Sequence, residues 1–363
     1  MKKKAGDRLN EVEEKSEEFL QTAFDLNASD IHFIPRKHDT MIELRVNDHL
    51  YEYDILSEDL AQRIISHFKF RAGMDIGDKR RPQTGSLDQL INGERVHLRF
   101  STLPTAYNES LVIRLLPQAM DTRLVDLSIF TESTAELASL LNYDSGLLLF
   151  AGPTGSGKST TMYTMLNSAK RRFNARIVTL EDPVEKRIDN FVQMEVNEKA
   201  DLTYLSGFKA ILRHDPDIIM VGEIRDLETA KIAVRAALSG HMVMSTIHAA
   251  DTVGTLKRLM ELGIPKFDLK ESLVGIIAQR LINIQCPRCG PVCDKDCSNK
   301  NRLKKRTAIF EILTGLALND LLKTGKTSGH RYRRLDDYYR QALALGYLIQ
   351  DRLPNEGEAH VLT

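Results

Sequence analysis

The sequence predicts an α/β protein of more than one domain, and patterns in both parts of the chain lead to this prediction. In the C-terminal part, apolar stretches at 146–150, 176–180, 218–221 and 242–246 alternate with segments of helical character. That alternation is typical of a mostly parallel sheet with helices on both faces. A long amphipathic helix is predicted at 331–353. The length of 363 residues is enough for about two or three domains.

The N-terminal part is predicted to contain both helices and strands. Apolar residues recur near helical spacing in 8–26 and again in 57–72. Between these helices, alternation of apolar and polar residues predicts strands around 31–33 and 42–46. The polar sequence of 73–85 predicts a loop.

Two further stretches, 95–100 and 111–115, predict strands that carry arginines on the face opposite their apolar residues. In the first, His97 and Arg99 share the polar face, and in the second Arg114 lies on the corresponding face. These arginines could share a functional role, or they could be solvated residues at the edge of a sheet. Periodicity alone does not separate these two explanations.

The clearest motif lies at 152–160 and fits the pattern G-x-x-x-x-G-K-[ST]. An apolar strand precedes it and a helical segment follows it, which is the context of a phosphate-binding loop. Lys158 can reach the β- and γ-phosphates, and the Ser159 hydroxyl can ligate Mg²⁺. The predicted nucleotide-binding residues are Gly152, Pro153, Thr154, Gly155, Ser156, Gly157, Lys158, Ser159 and Thr160. The chain is therefore predicted to bind ATP or a related triphosphate together with Mg²⁺.

Acidic residues and a histidine follow three of the predicted C-terminal strands. The second strand runs directly into Glu181, the third ends close to Glu223, and His248 follows the fourth. Because strand carboxyl ends line the ligand crevice of a parallel sheet, we expect these groups near the triphosphate. Hydrolysis requires an acid that holds the metal and a group that orients water. Taken singly, each acid could instead be a solvated loop residue or a helix cap, and His248 could be structural.

Composition narrows the class of function. Lys+Arg and Asp+Glu both number 50, and the resulting formal net charge of zero argues against a dedicated nucleic-acid coat protein. No apolar run approaches the roughly 18 residues of a membrane span, and the start of the chain lacks the apolar region of a signal peptide. We therefore expect a cytoplasmic protein that associates with the membrane only peripherally.

The four cysteines of the chain lie close together in sequence, as Cys286, Cys289, Cys293 and Cys297. Such clustering is not that of a disulfide framework. The Cys-Pro-x-Cys-Gly start is a half-site for tetrahedral Zn²⁺, which makes a structural zinc ion the favoured prediction. Four free thiols or a redox pair are the alternatives.

These motifs, in this order, resemble the secretion and pilus traffic ATPases, the GspE/PilB/PilT family, over nearly the whole chain. The matching stretches are 28–32, 73–76, 101–105, the phosphate-binding loop, an Asp box at 180–185, a Walker B segment at 212–226, a His box at 245–248, and 278–281. The implied domains are a PAS-like α+β domain at 1–116, a linker at 117–135, a RecA-like P-loop ATPase core with the cysteine cluster at 136–315, and a C-terminal helical segment at 316–363.

The resemblance also implies roles for the candidate residues. Arg99 and Arg114 would reach the γ-phosphate from the N-terminal domain, and His248 would sense it. Glu223 would be the Walker B acid near Mg²⁺. Glu181 is preferred as the residue that polarises the attacking water, although the family pattern leaves room for the two acids to exchange roles.

The implied assembly is a homo-hexamer that acts on a polytopic inner-membrane platform protein and indirectly on pseudopilins, with no direct contact to nucleic acid. The short chain and the compressed cysteine cluster are most similar to the competence pseudopilus ATPases of the ComG-operon type. Type II secretion and pilus retraction are the alternatives within the family. From other classes, a nucleotide-regulated scaffold with little turnover and a RecA-like nucleic-acid translocase stay open.

Overall fold

The computed structural model describes residues 5–46, 49–118, 122–197, 200–290, 297, 306–325 and 332–348, and the side chains from residue 11 onward. The chain divides into two compact units. The first comprises Met1–Met120 with Glu185–Arg187, and the second comprises Asp121–Val184 with Ile188–Thr363.

Helices and an antiparallel sheet make up the first unit. In chain order, its elements are α1 (Ala5–Asp25), β1 (Asp30–Pro35), β2 (Asp39–Val46), β3 (His49–Ser57), α2 (Glu58–Arg71), β4 (Gln83–Ile91), β5 (Glu94–Pro104) and β6 (Glu109–Pro117). The strands are ordered β3-β2-β1-β6-β5-β4, and all neighbours are antiparallel.

One face of this sheet is apolar and packs against α1 and α2. Alternate residues of the inner strands are buried there: Ile31, Phe33, Ile42, Leu44, Val96, Leu98, Phe100, Leu111, Ile113 and Leu115. Phe19 from α1 meets Phe33 edge-to-face, with ring centroids 5.7 Å apart. Ser57 begins α2, because its Oγ accepts a hydrogen bond from the Leu60 amide. The helices predicted at 8–26 and 57–72 and the four predicted strands are therefore confirmed.

The two edge strands, β3 and β4, differ from the sequence-based expectation. Neither has a clear apolar alternation in the sequence, and β4 begins at Gln83, inside the stretch 73–85 that predicts a loop. Most side chains of β3 are exposed, and those of β4 alternate between exposed and half-buried. Edge strands carry a weak hydrophobic signal because little of their surface is covered.

A buried ion pair ties the loop after α2 to the sheet. Lys69 Nζ lies 2.9 and 3.0 Å from the two carboxylate oxygens of Glu109 and 2.9 Å from the Asp78 carbonyl. Both side chains are 1% exposed. A charge buried this deeply is tolerated only with a partner, so the pair holds α2, β6 and the loop together.

The second unit is a sheet with helices packed on it. In chain order, its elements are a 3₁₀ turn (Leu124–Asp126), α3 (Thr131–Leu140), β7 (Gly146–Ala151), α4 (Lys158–Phe173), β8 (Ile177–Glu181), β9 (Val192–Glu195), α5 (Tyr204–Ile211), β10 (Ile218–Glu223), α6 (Leu227–Leu238), β11 (Met242–Ile247), α7 (Thr252–Glu261), α8 (Lys266–Ser272), β12 (Leu273–Asn283), β13 (Arg306–Thr314), α9 (Gly315–Thr324) and α10 (Leu335–Ala344).

The order of the strands places the candidate residues side by side. The sheet runs β13-β12-β7-β11-β10-β8-β9, and all pairs are parallel except β12 with β13. Every residue of β7 is buried, as expected for a strand covered on both faces. The carboxyl ends of β7, β11, β10 and β8 are therefore consecutive along one edge. The predicted α/β fold with a mostly parallel sheet is confirmed.

The stretch 117–135, predicted as a linker, contains the 3₁₀ turn and the start of α3. In the tail, α10 is shorter than the helix predicted at 331–353, because Leu345 ends it and Gly346 has a positive φ of 74°. Residue 331 and residues from 349 onward lie outside the described part. Among the described helices, none has the length and apolar character needed to cross a bilayer.

Candidate nucleotide-binding site

The predicted phosphate-binding loop connects β7 to α4. Gly152 has a φ of 147° and Gly157, which precedes the first residue of α4, has a φ of 86°. A Cβ at Gly152 would lie 2.6 Å from both the Gln279 carbonyl oxygen and Ser156 Oγ. A Cβ at Gly157 would lie 2.8 Å from Gln279 Nε2. Both positions therefore require glycine for conformational and steric reasons.

Lys158 is the first residue of α4, and its side chain folds back over the loop. Its Nζ donates hydrogen bonds to the carbonyl oxygens of Gly152, at 2.7 Å, and Pro153, at 2.9 Å. The buried Ser156 Oγ has no hydrogen-bond partner among the described residues. The ammonium group, the glycine cradle and the helix N-terminus, with Ser159 in its first turn, fit a polyphosphate with Mg²⁺.

Glu223 and His248 are brought together by neighbouring strands. Glu223 ends β10 and pairs with Thr246 of β11, and His248 follows that strand. His248 Nε2 lies 3.5 Å from Glu223 Oε2, while Arg225 Nη2 contacts Oε1 of the same carboxylate. The hydrogen bond to Glu223 raises the pKa of Arg225. The Glu223 side chain is 19% exposed, so it can meet solvent or a ligand.

Glu181 has a different environment, although it ends the neighbouring strand. Its residue is 2% exposed. One carboxylate oxygen accepts hydrogen bonds from Thr179 Oγ1 at 2.6 Å and Gln193 Nε2 at 3.3 Å, and the other accepts from the Tyr163 hydroxyl. Tyr163 is fully buried on α4. Glu181, at the end of β8, therefore links that strand to α4 and to β9.

Tyr204 and Gln279 lie near the site but were not among the predicted site residues, although Gln279 falls within the matching stretch 278–281. Burial, followed by the nearby carboxylates of Asp182 and Glu223, raises the pKa of Tyr204 to about 12, so its hydroxyl stays protonated. Gln279 is a polar residue within the apolar run of β12. That interruption was the signal that could have identified Gln279, whereas no sequence signal marks Tyr204.

Arg99 and Arg114 lie within the first unit, directly opposite each other on β5 and β6. Both point away from the apolar face, as their alternation predicts. Arg114 Nε donates to Asp30 Oδ1 at 2.8 Å, and Arg45 lies 3.9 Å from the other oxygen of Asp30. Asp30 is almost fully buried, so this carboxylate fixes the orientation of Arg114.

Three of the predicted cysteine ligands form a cluster. The Sγ atoms of Cys286, Cys289 and Cys297 lie within 4.8 Å of one another, and those of Cys286 and Cys297 are 3.7 Å apart. Zn–S bonds of about 2.3 Å in a tetrahedron place sulfurs about 3.8 Å apart. The triad could therefore hold a metal ion. Cys293, the fourth predicted ligand, lies outside the described residues.

The fold and this loop define a P-loop protein with an additional antiparallel N-terminal unit. Residues 6–346 match the family described as "Type II/IV secretion system protein", and the chain belongs to this family. The predicted resemblance is thereby confirmed.

Individual relatives agree with this assignment. The chain is 44% identical over 342 residues to competence protein ComGA of Bacillus subtilis, covering 94% of this chain and 96% of that protein. It is 39% identical over 332 residues to type II secretion system ATPase E of Vibrio cholerae, covering 89% of this chain and 65% of that protein. Its fold is similar to the X-ray structure of the Legionella pneumophila ATPase DotB, with a TM-score of 0.72. The two sequences are 20% identical, and the match covers 91% of this chain and 92% of the DotB chain.

Proposed function

We propose that the chain is an ATPase that powers assembly of a competence pseudopilus for DNA uptake. The observation that carries this proposal is the P-loop of the second unit, in a chain similar to ComGA over nearly the full length of both proteins. The carboxyl ends of the neighbouring strands supply Glu223 and His248 next to each other, which are groups suited to ATP hydrolysis.

In the proposed reaction, the loop amides and Lys158 bind the phosphates. Ser159 and Glu223 would hold Mg²⁺, and that ion would supply positive charge to neutralise the phosphates. His248 hydrogen-bonds the γ-phosphate. For the residue that orients water, the environment of the two acids supports Glu223, the alternative to Glu181 that the family resemblance leaves open: the oxygens of Glu181 already accept several hydrogen bonds in a buried site, whereas Glu223 is partly exposed.

The roles of the two acids can be separated by kinetics. We expect Glu223→Gln to keep ATP affinity and to lose turnover by about 10²–10³-fold, a range typical for a group that acts in the transition state. Glu181→Gln is expected to lower the melting temperature and to reduce turnover less. Loss of turnover confined to Glu181→Gln, with an unchanged melting temperature, would instead assign the water to Glu181.

The proposal extends to the assembly. A homo-hexamer on the cytoplasmic side of the membrane would act on a polytopic platform protein and, through it, on pseudopilins. Arg99 and Arg114 are proposed to act on the γ-phosphate. This proposed role is supported by the hydrogen bond from Arg114 to Asp30, which fixes the orientation of Arg114. Arg99 lies directly opposite Arg114 on the neighbouring strand.

A structural zinc ion is proposed at the cysteine cluster. The Sγ separation of Cys286 and Cys297 matches tetrahedral coordination, and Cys293 is proposed as the fourth ligand. Metal analysis of the purified chain should find about one Zn²⁺ per chain, and Cys289→Ser should reduce that content. A metal-free chain that retains its fold would contradict the assignment.

The competence role is tested in cells. We expect Lys158→Ala to abolish DNA uptake and pseudopilus assembly together, because it removes the phosphate-binding ammonium group. Lys170→Ala, in the last turn of the same helix, is the matched control and should leave both intact. Full DNA uptake with Lys158→Ala would contradict the motor role, and loss of protein secretion without loss of DNA uptake would point to type II secretion instead.

A further inference from the structure

Gln279 lies beside the phosphate-binding loop although it belongs to a distant part of the sequence. β12 pairs with β7 in parallel, with Ala278 opposite Ala151, the last residue before the loop. Gln279 is therefore the first β12 residue beside the loop itself. Its side chain is enclosed, since the residue is 1% exposed.

Gln279 makes one hydrogen bond to the loop and leaves no room for a side chain at two of its glycines. Its Nε2 donates a hydrogen bond of 2.7 Å to the Ser156 carbonyl in the middle of the loop. A Cβ atom added at Gly157 would lie 2.8 Å from the same Nε2. A Cβ atom added at Gly152 would lie 2.6 Å from the Gln279 backbone oxygen. The glycines at both ends of the loop are thus packed against one residue.

The hydrogen bond to Ser156 has a consequence for the amide that follows it. The Ser156 carbonyl and the Gly157 N–H belong to one planar trans peptide, in which these two groups point in opposite directions. A donor that holds the carbonyl against β12 therefore turns the Gly157 N–H away from β12. Backbone N–H groups oriented in this way are what a phosphate-binding loop offers to an anion.

We propose that Gln279 is a positioning residue of the nucleotide site, which orients the peptide between Ser156 and Gly157 for phosphate binding. This inference rests on the proposed nucleotide binding. The inference adds to the proposed nucleotide binding, because it assigns the alignment of the loop to a side chain of β12.

A purely structural role explains this side chain less well. Gln279 Oε1 is buried and has no hydrogen-bond partner among the described residues. A buried amide that is only half satisfied costs stability, and an apolar residue of similar size would fill the same space without that cost. The donor on Nε2 is the part of the amide that the loop uses.

Two substitutions of similar size test the proposal in the full-length chain. Gln279→Met removes the donor, and Gln279→Glu replaces it with a group that repels the Ser156 carbonyl when ionised. Gln285→Met is the matched control, since Gln285 Nε2 also donates to a backbone carbonyl, that of Gly346, at 3.5 Å and away from the loop. The probe is the fluorescent analogue mant-ATP with Mg²⁺, and each variant is also melted without nucleotide.

We expect Kd for mant-ATP to rise about tenfold in Gln279→Met and at least as much in Gln279→Glu, a change that corresponds to about 1.4 kcal/mol. The melting temperature of Gln279→Met without nucleotide should stay within about 3 °C of the wild type. The control should bind with unchanged affinity.

Three results would overturn the proposal. Binding of both Gln279 variants within twofold of wild type would remove the positioning role. A large loss of melting temperature in both variants would assign Gln279 to the core instead, and an equal loss of affinity in Gln285→Met would show that the effect is not specific to the loop. Absence of binding by the wild type would refute the proposed nucleotide site itself, a failure that is separate from these three.

Discussion

Glu311 anchors the starts of two helices through one buried carboxylate on β13. Its Oε1 accepts hydrogen bonds from Thr252 Oγ1 at 2.6 Å and from the Thr252 amide at 3.2 Å. Its Oε2 accepts from the Leu335 amide at 3.3 Å. Thr252 begins α7, the helix that follows the loop containing His248, and Leu335 begins α10. Glu311→Leu should therefore loosen both helix starts, one of them next to the candidate site.

The loss of unfolding free energy expected for Glu311→Leu follows from these contacts. The bond from Thr252 Oγ1 is short, and a hydrogen bond to an ionised group contributes about 1.5–3 kcal/mol. A negative charge near each helix N-terminus adds about 0.3–1 kcal/mol. Glu311→Leu removes these terms and leaves buried donors without an acceptor, so we expect a loss of about 3–5 kcal/mol of unfolding free energy. Glu311→Gln keeps the size of the side chain and one acceptor, so we expect it to lose only about 1–2 kcal/mol of unfolding free energy.

The assay combines urea unfolding of the full chain with hydrogen exchange at the amides of Thr252 and Leu335. Both amides should lose protection in Glu311→Leu, because their acceptor is gone. Glu261→Gln is the control: its side chain is exposed and lies 3.8 Å from Arg258, and such pairs change stability by less than about 1 kcal/mol. If Glu311→Leu unfolds within about 1 kcal/mol of wild type with both amides still protected, the anchoring role is refuted.

Three further changes test other parts of the structure. Glu109→Gln leaves a buried lysine without its counter-charge and should cost about 3–5 kcal/mol in chemical denaturation; a loss near zero would contradict the buried pair. Tyr163→Phe removes a donor to the Glu181 carboxylate and should lower the unfolding free energy by about 1.5–3 kcal/mol, whereas unchanged stability would show that the bond is unimportant. Burial lowers the pKa of His32, so the unfolded chain takes up its proton first as the pH falls below about 6.5. Stability should therefore fall between pH 7 and pH 5 and fall less steeply in His32→Phe, and parallel pH profiles would contradict this.

The features that sequence alone predicted are those encoded locally. The loop at 152–160 and the strand before it form a contiguous pattern, and the structure has the strand and the helix where that pattern places them. The alternation in 95–100 and 111–115 likewise predicted the faces of β5 and β6. Because parallel strands end at one edge of a sheet, the proximity of Glu223 and His248 also followed from their positions after apolar stretches.

What the sequence did not predict depends on contacts between distant segments. Gln279 meets Ser156 across 123 positions, and Glu311 meets Thr252 across 59, so no local pattern reveals either contact. The exposure of the two acids is equally non-local, since Tyr163 and Gln193 enclose Glu181 from separate elements. The edge strand β4 was missed because its side chains are only partly covered.

Steady-state ATP hydrolysis by the purified chain, compared with Lys158→Ala, tests the proposed function most directly. The account predicts Mg²⁺-dependent hydrolysis by the wild type and a loss of about 10²-fold or more in the variant, because Lys158 supplies the positive charge at the centre of the loop. A wild type without hydrolysis, or a variant that hydrolyses ATP at the wild-type rate, would contradict the account.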